Sequence, residues 1–145
     1  MTSEEAIAKI LNEQVSGYKE LLELLRQERL CLIDLNADCV EELSKKKDTL
    51  ALKLRLLEEE CLRIMKGFGS GMTLQDLAEV TGKSTFLDIR SRRRSLMQAI
   101  EELNNFNRLL IEQSLSYFRR SVGFFTTFGM QGNLSQKGLL ISRET

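Results

Sequence analysis

The chain has 145 residues, enough for about one domain, with 21 Lys+Arg against 21 Asp+Glu and no net charge. It has no His, no Pro and no Trp, so the commonest general base and metal ligand is missing and nothing must break a long helix. At 42% hydrophobic and 29% charged it is too apolar for a disordered chain, and its zero net charge argues against a general nucleic-acid or membrane-surface binder.

The opening MTSEEAIAKI is acidic and polar, unlike a signal peptide. Ile7, Leu11, Tyr18, Leu21, Leu25, Leu32 and Leu35 then fall on one seam at alternating spacings of three and four, with Gln14 and Glu28 as its polar exceptions. That spacing predicts a helix over about 3–36. Asp38 followed by Glu41 reads as a capping box opening a second helix. Val40, Leu43, Leu50, Leu54, Leu57, Cys61 and Ile64 carry its stripe, broken by Lys47, and Gly67 ends it. The short break between the two helices predicts an antiparallel hairpin, with a continuous helix through the break as the competing geometry. Cys31, Cys39 and Cys61 form no CxxC pair; with no His beside them they read as small buried hydrophobes rather than zinc ligands.

GFGSGMT at 67–73 is a loop with three glycines. Thr73 can cap a short helix, TLQDLAEV, stopped by Gly82, and Ser84 can cap the next. From Phe86 the pattern runs unbroken to Gly123: Ile89, Leu96, Ile100, Leu103, Leu110, Tyr117, Phe124 and Phe128 hold one seam, and Arg93, Asn107, Ser114 and Ser121 take its polar slots. Residues 1–36 carry a net charge of −3 and residues 84–128 a net of +3, which favours packing the first helix against the last. The expectation is an all-α fold: an elongated antiparallel bundle of three long helices plus one short helix with coiled-coil-like packing. The bundle domain would cover 1–128 and a flexible C-terminal tail 129–145. No apolar run is long enough to cross a bilayer, so the protein is expected in the cytoplasm.

Three kinds of site can be weighed. TLQDLAEVTGKSTF, followed by Arg90, Arg92, Arg93 and Arg94, resembles the start of a helix-turn-helix and gives a DNA-binding regulator over 73–97 as an alternative. Against it, Asp88 stands where that motif needs an apolar residue, and the reading helix would run on for some 40 residues; nucleic acid is therefore not the expected partner. Catalysis finds no support. Glu58-Glu59-Glu60 and Glu101-Glu102 fall on outward faces, and no nucleophile stands beside a base, so neither an enzyme nor a cofactor nor a metal site is expected. The third is a protein-binding surface in LSYFRRSVGFFTTF, residues 115–128, which holds five of the nine aromatics. The seam through Leu110, Tyr117, Phe124 and Phe128 suffices to join a bundle. Beside it a second seam, Ile111, Leu115, Phe118, Val122 and Phe125, is left over for a partner or for a homodimeric coiled-coil scaffold.

These stretches together resemble the FlgN family of bacterial flagellar export chaperones from about residue 18 to 132. The resemblance rests on YKELLELLRQERLCL and LSKKKDTLALKLRLLEEECLRIM, on TLQDLAEVTG, on Asn104 and Asn107 in LNNFNRLLIEQSLSYF, and on FGMQG at 128–132, whose closing aromatic, often Tyr in such proteins, is Phe128 here. It implies a chaperone of type III flagellar secretion that binds the C-terminal helices of the hook–filament junction proteins FlgK and FlgL, prevents their premature assembly and delivers them to the export apparatus. Ile111, Leu115, Phe118, Val122 and Phe125 would hold the substrate. Phe128, Gly129, Leu139, Leu140 and Ile141 would be the contacts to the export gate.

Overall fold

Apolar residues at helical spacing, with glycines grouped at the breaks, build four helices in the computed structural model: α1 (Ser3–Ile33), α2 (Ala37–Lys66), α3 (Leu74–Thr81) and α4 (Thr85–Thr127). The structure describes residues 2–127, with side chains as far as Gly123. The expected tail 129–145 and residues Phe128, Gly129, Leu139, Leu140 and Ile141 lie outside the described residues, and so does the side chain of Phe125. The all-helical bundle of three long helices and one short one is the fold expected from the sequence. Contacts gather it into two compact units. One comprises the chain to Leu22 with Asp48–Ile100, the other Glu23–Lys47 with the described residues from Glu101 onward.

In the first unit, Ile7, Leu11 and Val15 of α1 close on Cys61 and Met65 of α2, on Leu77 of α3 and on Phe86 and Ile89 of α4. Burying Phe86 alone is worth roughly 1.5–3 kcal/mol. α1 and α2 are antiparallel: Gln14 meets Glu58, and three residues on Gly17 meets Leu54. Gly17 permits this approach, since a Cβ there would lie 2.6 Å from Leu54 Cδ2. α4 is parallel to α1 and antiparallel to α2, with Glu4 paired to Lys83 at 3.0 Å near its start and Arg93 level with Gln14 across Glu58. α3 has the expected ends. Thr73 and Asp76 form a reciprocal capping box, and Gly82 closes the helix in the left-handed conformation with φ 70°.

In the second unit, Cys31 and Leu32 of α1, Val40 and Leu43 of α2 and Ile111 of α4 form the core. The α1–α2 turn differs from the sequence expectation. α1 ends at Ile33, where Asn36 N–H donates to the Cys31 carbonyl and Leu35 N–H to that of Leu32, with Leu35 left-handed at φ 53°. Asn36, not Asp38, caps α2, its Oδ1 accepting from Cys39 N–H at 3.1 Å. Once the chain has turned at Leu35, Asn36 is the first residue placed to cap, and Asp38 falls inside the first turn. Cys31 and Cys39, expected as separate buried thiols, are bonded to each other with Cα atoms 5.8 Å apart, so only Cys61 is a free buried thiol.

Candidate functional site

The aromatic-rich end of α4 belongs to the second unit. Its position follows from a polar layer. Asn107 is buried and donates Nδ2–H to the Leu25 carbonyl and to Glu28 Oε1, both at 2.9 Å; Glu28 is paired in turn with the Lys47 ammonium. One turn on, Ile111 packs with Cys31 and Leu32. α1 thus ends close to the level of Ile111, whereas α4 continues to Thr127, roughly four more turns.

Burial along this stretch differs from the expected split of the two seams at Ile111 and at Tyr117, while Leu110 and Leu115, one from each seam, both pack against the second core. Ile111, expected to be left over for a partner, is a core residue. Leu115, Phe118 and Val122 follow it on the same side and are half-buried. The seam expected to join the bundle turns outward here: Tyr117 is 69% exposed, and Phe106 and Leu109 beside it are exposed as well. The reason is geometric. A straight α-helix drifts about 20° per heptad against a strict seven-residue repeat. Within the second unit, over the two heptads from Leu103, half-buried, to Tyr117, exposed, the drift is roughly 40°, and the inward face moves toward the neighbouring seam. The residues that heptad counting did not select for binding are therefore Phe106, Leu109 and Tyr117. The same unit also exposes Leu30, Ile33 and Leu35 at the hairpin turn, beside a groove of about 420 Å³ lined in part by Cys31, Cys39 and Leu43.

The other candidate residues have structural partners or none. Leu77 and Ala78 of the helix-turn-helix-like segment are buried in the first core. Arg93 of the basic run turns inward to Glu58 at 3.5 Å, and α4 runs to 43 residues rather than the length of a groove-reading helix. Glu58, expected outward, is half-buried and accepts from both Gln14 and Arg93. Among the described residues no group of His, Cys, Asp or Glu is arranged to hold a metal ion, and no helix is long and apolar enough to cross a membrane.

A helical bundle whose last helix outruns its partners while keeping a part-covered apolar face has the build of a protein-binding module. The comparisons carry this one step further: a family model described as FlgN protein matches residues 1–135, and the chain belongs to the FlgN family. This is a family of flagellar export chaperones, not of enzymes. The match takes in the first 17 residues, where the sequence offered no motif to quote. No curated protein and no solved structure matches the chain.

Proposed function

We propose that this chaperone works in the cytoplasm on hook–filament junction proteins of the FlgK and FlgL kind, holding their C-terminal helices and delivering them to the export gate. The observation that carries the reading is the stretch of α4 beyond the end of α1, where Leu115, Phe118 and Val122 are half-buried and Tyr117 is exposed. An amphipathic client helix laid along it would extend the bundle by one member and finish the burial that α1 and α2 begin at Ile111. Each aromatic anchor completed in this way is worth up to roughly 1.5–3 kcal/mol before the cost of ordering the client, so two or three give a moderate affinity compatible with release. The client's self-association face is occupied while it is held. Phe125 and, as gate contacts, Phe128, Gly129, Leu139, Leu140 and Ile141 remain part of the proposal on sequence grounds.

The test is co-purification of the full chain with the C-terminal fragment of a junction protein. Phe118→Asp with Phe125→Asp is expected to abolish capture with helical circular dichroism unchanged. Full capture by the folded double variant, or loss of helicity instead of capture, overturns the assignment of this face.

A further inference from the structure

The first unit carries a second unpartnered surface, on α2. Leu50, Leu54 and Cys61 define its buried side. Leu52 stands two residues from both leucines, about 200° round the helix, and Leu56 lies one turn further along the same outward side. Leu52 is 49% exposed, Leu56 55% and Leu62 52%. An amphipathic surface helix ordinarily places charge there. Asp48, Arg55, Glu59 and Lys66 frame these leucines, all exposed and none in an ion pair among the described residues; Arg63 and Glu60 between them bond each other.

The order of these charges is the informative feature. In an antiparallel helix pair related by a two-fold axis, residues placed symmetrically about the centre face each other. With the centre at residue 57, Asp48 of one copy faces Lys66 of the other and Arg55 faces Glu59. Every unpaired charge on the face meets its opposite, Leu56 lies beside Leu56 of the other copy, and Leu52 and Leu62, about 80° apart round the helix, flank the contact on opposite sides. A parallel pairing puts each charge against its own kind, which is repulsive.

We propose that two copies of this chain associate through the outward face of α2, antiparallel about a two-fold axis near residue 57. One helix from each copy makes a small interface, so the dimer forms in the micromolar range or weaker. The surface lies in the first unit, and the proposal is independent of client capture by α4.

Sedimentation velocity of the full chain over a concentration series tests it. The mass is expected to climb from 16.6 kDa toward twice that value as concentration rises. Leu52→Glu with Leu56→Glu is expected to weaken association by at least roughly tenfold. Asp48→Lys and Lys66→Asp are each expected to weaken it alone, and an equimolar mixture of the two single variants to restore it, because only the mixed dimer pairs opposite charges at both ends. These two sites are exposed, so they decide the matter even where the leucine variant loses its fold. A wild-type chain that stays monomeric throughout overturns the proposal. So does a dimer indifferent to these substitutions, or a mixture that fails to recover. Loss of client capture by the leucine variant of a monomeric wild type assigns the face to the client and also overturns it.

Discussion

Leu35 holds the one left-handed backbone conformation taken by a non-glycine residue among those described, and its side chain is exposed. A Cβ in that conformation costs roughly 1–2 kcal/mol, and nothing buried repays it. Leu35→Gly is therefore expected to stabilise the chain by about 1 kcal/mol, read as a higher midpoint in thermal unfolding. Glu28 is the opposite case, a carboxylate 1% exposed and held by Asn107 and Lys47. Lys47→Met removes the cation and leaves the carboxylate uncompensated, a change expected to cost up to roughly 3–5 kcal/mol in denaturant unfolding. Cys61 has its thiol pushed up chiefly by burial, with Arg93 pulling the other way, and Cys31 and Cys39 are bonded to each other. An alkylating reagent at neutral pH is expected to find no fast thiol in the folded chain, one after denaturation without reductant, and all three after reduction.

At the scale of elements, the helices themselves were legible because each ends on local chemistry: Gly67, the Thr73 box, Gly82. The α1–α2 turn was not, because it is closed by a leucine in a conformation that sequence assigns to glycine, and the true cap, Asn36, lies just before the motif that resembled one. The aromatic density at the end of α4 was legible as a candidate site. Its inward side was not, since counting by sevens follows a coiled coil while α4 drifts away from that register. The short helix α3 gives an element-level test. Asp76 is held below its ordinary carboxylate range by the Thr73 backbone amide first and the Thr73 hydroxyl second. A depressed folded pKa stabilises the cap above the unfolded value and is lost as pH falls through the folded one. Acidification through that range is expected to lower the protection of the α3 amides, measured against their intrinsic exchange rates at each pH, and Asp76→Asn to remove this step.

Across the whole molecule, the residues that interrupt the apolar seams turn out to be partners of one another. Gln14, Glu58 and Arg93 meet in the first unit, and Glu28, Lys47 and Asn107 in the second, each trio drawing one side chain from α1, one from α2 and one from α4. The sequence displays five of the six as breaks in a stripe; only the fold shows which belong together, because the pairing depends on the relative register of three helices. A leucine in any of these slots would pack, and would pack equally well one heptad away. A polar trio finds its own partners in one register only, at a cost in stability, since Gln14 Oε1, Arg93 Nε and Asn107 Oδ1 are buried without a hydrogen-bond partner. Replacing all six residues by leucine is therefore expected to leave thermal stability unchanged or to raise it by roughly 1–4 kcal/mol while uniqueness is lost. The amide spectrum should broaden and size-exclusion chromatography should resolve several species where the wild type gives a single register. A six-leucine variant with sharp, singly populated resonances would mean that the apolar seams alone set the alignment, and that these trios serve some purpose other than register.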